Sequence, residues 1–145
     1  MMDRVTRTPA ETEEVGRGLG ALLRPGDVVA LVGELGSGKT QLVSGICAAL
    51  GAQGHVSSPT FTLIHEYPAK DVVVVHADMY RISSMREAVE TGLLEYFTPP
   101  YVTLVEWADR VLDLLPPEHY LVELSHRGDP RERRISIRNL PAERS

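Results

Sequence analysis

Apolar positions along this chain fall into two patterns. Val15, Leu19 and Leu22 recur at helical spacing in "TPAETEEVGRGLGALLRPG" and predict a buried helical stripe. Thr8, Pro9 and Glu11 mark its start: a capping hydroxyl, a proline suited to the first turn, and a glutamate three residues after the cap. "DVVALVG" then runs as an unbroken aliphatic segment, the pattern of a strand buried on both faces. In "KTQLVSGICAALG", Leu42, Val43, Ile46, Cys47 and Leu50 predict a second amphipathic helix, stopped at Gly51. "FTLIHEY", "DVVVVHAD" and "YVTLVEW" predict three further strands. "SMREAVETG" predicts a short helix with Ser84 and Glu87 as a capping box, and "ADRVLDLL" another, stopped by Pro116 and Pro117. "YLVELS" and "RRISIRNL" close the chain as strands joined by the polar turn "HRGDPRE". Helices alternate with strands first, and paired strands follow. This predicts an α/β three-layer sandwich on a mixed, partly parallel sheet with antiparallel C-terminal strands. No repeat or linker interrupts it, so residues 1–145 are expected to form one domain.

Composition narrows the functional classes. With 145 residues, 43% of them hydrophobic, the chain can bury a sizeable core. A net charge of −5 argues against a surface built to grip phosphate backbones, although a nucleic acid can still be reached through other subunits. The single cysteine, Cys47, excludes an intrachain disulfide and fits a reducing compartment. "MMDRVTRTPAETEE" lacks the apolar centre of a signal peptide, and no apolar run approaches a membrane span. A soluble, cytoplasmic chain with no membrane contact is expected.

The chemistry gathers after the first aliphatic run. Gly33-Glu34-Leu35-Gly36-Ser37-Gly38-Lys39-Thr40 fits G-x-x-x-x-G-K-[ST] between a predicted strand and a predicted helix, the setting of a P-loop. Glycines let successive backbone amides turn inward around a phosphate chain, and the helix N-terminus adds partial positive charge. Lys39, one of only two lysines, is placed to reach the terminal phosphates, and the Thr40 hydroxyl to ligate Mg²⁺. A P-loop also needs carboxylates. Asp78 and Glu106 each close a hydrophobic strand, where parallel sheets direct polar groups into the ligand crevice. In "SSPTFT", Thr60 occupies a polar loop of the kind that senses a γ-phosphate. Glu11, Thr12 and His126 flank the position where a ribose or base would rest. Other residues have plainer readings: Trp107 packing under the helix it starts, Tyr80 and Arg81 as a surface pair, His76 as a hydrogen-bonded core histidine, and Cys47 as core.

"GELGSGKT", "SSPTFTLIHEY", "VVHADMYRI", "TGLLEYF" and "VTLVEWADR", in this order and spacing, resemble the TsaE family, also called YjeE. The resemblance spans about residues 8 to 140. It implies a P-loop fold that binds ATP with Mg²⁺ and hydrolyses it slowly. It also implies work with the TsaB and TsaD proteins, which attach threonylcarbamoyl to adenosine 37 of tRNAs reading codons that begin with A; the tRNA would be met through that complex. On this chain the resemblance assigns phosphate and metal roles to Lys39 and Thr40, a switch role to Thr60, and a Mg²⁺ ligand to Glu106, with Asp78 in the "HADMYR" motif. Ser37 and Ala77 depart from the commoner residues and touch no required group. The residues alone leave two rivals: a small-molecule P-loop kinase, and a nucleotide-dependent switch without turnover. A kinase needs a lid carrying arginines, and residues 83–100 hold only Arg86, so a missing cation is expected from a partner.

Overall fold

The computed structural model describes residues 2–34, 37–52 and 63–140. Leu35, Gly36 and all of "SSPTFT", including Thr60, lie outside the described residues. The elements run β1 (Met2–Thr6), α1 (Pro9–Gly20), β2 (Val28–Gly33), α2 (Lys39–Leu50), β3 (Ile64–Pro68), β4 (Val73–Asp78), α3 (Met85–Glu90), β5 (Tyr101–Glu106), β6 (His119–His126) and β7 (Arg133–Leu140). The strands form one seven-stranded sheet in the order β1-β7-β6-β2-β5-β4-β3. β6, β2, β5 and β4 run parallel, while β3, β7 and β1 add antiparallel edges. The fold is the expected α/β architecture.

Both sheet faces are covered, which explains why the central strands are aliphatic throughout. On one face Leu19, Leu42 and Ile46 of α1 and α2 pack on Leu31, Leu104 and Val122. On the other, Ala88, Leu93 and Val111 cover Val28, Ala30, Ala77 and Val105. α1 and α2 approach closely through two glycines. A Cβ on Gly45 would lie 2.0 Å from the Glu13 carbonyl oxygen, and one on Gly16 would lie 2.2 Å from that of Leu42. This contact seats α2, and with it the start of the helix that follows the glycine loop.

Four local expectations are corrected. β1 was not predicted: three of its five residues are exposed, so it shows no alternation, and its pairing with distant β7 makes it a strand. Leu22 is exposed, because α1 ends at Gly20 and the chain turns Leu23 inward instead. The capping hydroxyls of Thr8 and Ser84 behave as predicted, but Glu11 and Glu87 accept from the amides of Arg7 and Ser83, one residue before each cap. "ADRVLDLL" forms two single 3₁₀ turns, Ala108–Arg110 and Leu112–Leu114, rather than a helix. Trp107 stands before the first with a φ of 58°, a left-handed backbone that breaks helical continuity.

Gly45→Ala should cost about 1–3 kcal/mol of stability, because backbone rather than a flexible side chain must move. Urea unfolding followed by circular dichroism measures this, and Leu22→Ser at an exposed site should change it little.

Candidate functional site

A cavity of about 410 Å³ opens at the C-terminal ends of the parallel strands and the N-terminus of α2. Lys39, Thr40, Asp78 and Glu106 all line it, as does Thr12. The register explains the carboxylates. Asp78 pairs with Glu106 across β4 and β5, and Glu106 pairs with Leu31 across β5 and β2, so all three stand at one level of the sheet. Gly38 precedes α2 with a φ of 102°, a conformation that favours glycine, and among the described residues no side-chain cap bonds the first-turn amides. Those amides remain available to an anion.

Lys39 is 6% exposed. Its Nζ donates to the Gly33 carbonyl at 2.8 Å, lies 4.0 Å from Glu106 Oε1, and sits 4.1 Å from the centre of the Trp107 ring. Burial pushes the ammonium below its ordinary pKa, and the charges of Glu106, Asp78 and Asp109 pull it back up. Glu106 is also 6% exposed, and its Oε2 is hydrogen-bonded with His76 Nε2. Asp78 Oδ1 accepts from the Tyr80 amide at 3.0 Å. Thr40 is exposed at the cavity wall, and Thr12 is buried with its hydroxyl 2.7 Å from that of Thr6. A threonine hydroxyl with two carboxylates is a set of hard oxygen donors, the class Mg²⁺ takes. The residues therefore fit the ion.

Other expected site residues stand apart. Glu34 is exposed and does not line the cavity, although its carbonyl accepts from the Ser37 amide at 3.1 Å. Ser37 is buried, with a hydroxyl that has no hydrogen-bond partner among the described residues. His126 is exposed at the end of β6; its register partner Arg133 lines the cavity, and His126 does not. His76 is the buried, hydrogen-bonded histidine expected, but its partner is Glu106.

Sequence reasoning missed four residues in or beside the site. Trp107 precedes 3₁₀ turns rather than a helix; besides packing on the core it lines the cavity against Lys39, with the Tyr80 ring tilted across it at 4.9 Å between centres. Arg110 rather than Arg81 approaches the Tyr80 ring, at 5.6 Å. Arg131 and Arg133 bring cations from the β6–β7 turn. The arginine density of "DPRERR" after a turn was the available signal, but only the β6–β7 pairing reveals which end of the sheet it reaches.

A family model described as threonylcarbamoyl adenosine biosynthesis protein TsaE matches residues 6–135. The chain belongs to the TsaE family. The tRNA threonylcarbamoyladenosine biosynthesis protein TsaE of Bacillus subtilis (strain 168) is 40% identical over 132 residues, 91% of this chain and 82% of that protein. Its counterpart from Treponema pallidum (strain Nichols) is 37% identical over 123 residues, 85% of this chain and 89% of that one. The crystal structure of Bacillus subtilis YdiB matches with a TM-score of 0.83 at 34% identity, covering 98% of this chain and 87% of its own. The TsaE match thus takes in the glycine loop, both carboxylates and Trp107, all within residues 6–135.

Trp107 is the sole tryptophan, so its emission reports on the Lys39 contact directly. Lys39→Met should shift Trp107 fluorescence without any ligand present. Lys70→Met, at the only other lysine, should leave the spectrum unchanged.

Proposed function

We propose that this chain is a Mg²⁺-dependent ATP-binding protein that hydrolyses ATP slowly. In this reading it serves threonylcarbamoylation of adenosine 37 in tRNAs reading codons that begin with A, working with TsaB and TsaD in the cytoplasm. One observation carries the reading: in a chain of the TsaE family, Lys39, Thr40, Asp78 and Glu106 line a single cavity at the start of α2. Among the described residues no helix is long and apolar enough to cross a membrane.

The roles follow from position. The α2 amides and Lys39 bind the phosphate chain, for which the ammonium exchanges its Gly33 carbonyl contact. Thr40 and Glu106 hold Mg²⁺, which when bound offsets the charge on the phosphate oxygens. Asp78, at the same level as Glu106 and beside the Tyr80 amide, orients the attacking water or the Thr60 segment. Thr12 and the β6–β7 turn border the part of the cavity left for the nucleoside.

Arg131 and Arg133 qualify the expectation that every extra cation comes from outside. Both guanidinium groups are engaged within their own turn, Arg131 with Asp129 and Arg133 with the carbonyls of Pro130 and Glu132. Water still enters, since Thr40, Tyr80 and Arg131 are exposed around the cavity. A partner that covers this rim would exclude water and raise the rate. The net charge of −5 suits contact with proteins better than direct contact with tRNA.

Thr40→Ala should weaken ATP binding in Mg²⁺ by about tenfold or more, and hardly affect binding in EDTA, because the hydroxyl acts on the metal. Isothermal titration under the two conditions decides this, and equal losses would remove the metal role. The function itself is tested by steady-state phosphate release with and without purified TsaB–TsaD, followed by a tRNA modification assay. Release should be slow alone and rise by about tenfold or more with the partners. Tyr80→Ala, at the exposed rim, should blunt that rise while ATP affinity stays near the parent value. Transfer of phosphate to a small acceptor would favour a kinase instead.

A further inference from the structure

His76 is 2% exposed on β4, and its neighbours Val74, Val75 and Ala77 are all buried and apolar. An aliphatic side chain would suit that place. Instead the strand buries an imidazole whose Nδ1 has no hydrogen-bond partner among the described residues. An orphaned buried polar atom is costly, and local rules are broken mostly where function requires it. The other ring nitrogen, Nε2, meets Glu106 Oε2. Among the described residues no other hydrogen bond reaches the Glu106 side chain. Its second oxygen, Oε1, faces the Lys39 ammonium at 4.0 Å, on the cavity side.

The two oxygens thus have separate tasks. A glutamate has three side-chain torsions and would otherwise sample several orientations at the mouth of the site. We infer that His76 is a positioning residue: its Nε2–H donates to Glu106 Oε2 and fixes the carboxylate with Oε1 directed toward Lys39 and the cavity. The inference rests on the proposed role of Glu106 as a Mg²⁺ ligand. Ligating carboxylates are commonly held this way by a hydrogen bond from behind, and loss of the outer partner weakens metal binding. The strand spacing makes the arrangement possible. His76 lies two residues before Asp78 on β4, and on β5 its register partner Leu104 lies two residues before Glu106. Residues two apart share a face, so His76 and Glu106 both face α2.

The test compares ATP affinity of the full chain in Mg²⁺ and in EDTA, with Mn²⁺ binding to the nucleotide-loaded chain read by electron paramagnetic resonance. In His76→Leu the gain in affinity on adding Mg²⁺ should fall by about tenfold or more, and Mn²⁺ binding should weaken alongside it, while affinity in EDTA stays near the parent value. His76→Gln carries an amide N–H to the position of Nε2 and should restore most of the gain. His76→Asn reaches only the position of Nδ1 and should not. An unchanged Mg²⁺ gain in His76→Leu overturns the inference, as does identical behaviour of the Gln and Asn variants. If His76→Leu also loses binding in EDTA, the Gln–Asn comparison decides alone. Glu106→Gln separates this inference from the reading beneath it. A full Mg²⁺ gain in Glu106→Gln would remove the metal role of Glu106 and the positioning role with it. Loss of the gain in Glu106→Gln, with His76→Leu keeping it, would remove the positioning role only.

Discussion

The parallel pairing of β2, β5 and β4 is the constraint from which the site follows. It sets Leu31, Glu106 and Asp78 at one level, at the end of the sheet where α2 begins. Val102 and Leu104 precede Glu106 on the same face and are fully buried. The strand therefore carries a carboxylate to the edge of the core, where it is 6% exposed. A charge so placed is tolerated only with partners. Lys39 supplies one, and it is buried to the same degree. Each group makes the position of the other acceptable, and the Gly33 carbonyl takes one of the ammonium's donors.

The rest of the molecule holds α2 against that edge. Gly16 and Gly45 let α1 and α2 touch through their backbones, so the start of α2 is set by helix packing and not only by the loop before it. α1 also brings Thr12 to the cavity, its hydroxyl paired with Thr6 at the end of β1. β1 in turn lies on β7, the strand that begins with Arg133. The N-terminal segment, which looks featureless in sequence, thereby braces the wall opposite the carboxylates.

The fold was legible wherever burial was two-sided or helical periodicity was strong. β2, β4 and β5 are nearly continuous aliphatic runs, and Leu42, Val43, Ile46 and Cys47 leave no doubt about α2. Cys47 is core as its setting implied, burial pushing its thiol up to about 11. β1 was illegible because its three exposed middle residues carry no pattern, and only a partner more than 120 residues away defines it. Within the site, motif spacing identified Lys39, Thr40, Asp78 and Glu106. It did not identify Trp107 as a cavity residue: its half-buried ring packs on the core and also meets Lys39. It also missed the arginines of the β6–β7 turn, because side chains from opposite ends of a chain meet only once strand order is known.

The same geometry bears on why a nucleotide here would require a cation. Lys39 is already satisfied by Gly33, Glu106 and the face of Trp107. Under the proposed function, a phosphate chain entering the cavity would offer the ammonium better anionic partners, but it would also bring negative oxygens beside Glu106 and Asp78. Like charges in a partly dry site repel strongly, and Lys39 alone would not offset two carboxylates and a polyphosphate while Arg131 and Arg133 are engaged within their own turn. Under the proposed function, Glu106 and Thr40 would hold Mg²⁺, whose charge would offset that repulsion. The carboxylates that offset the buried charge of Lys39 would then also make nucleotide binding conditional on the metal. A site built on Lys39 and backbone amides alone would bind phosphate without that condition.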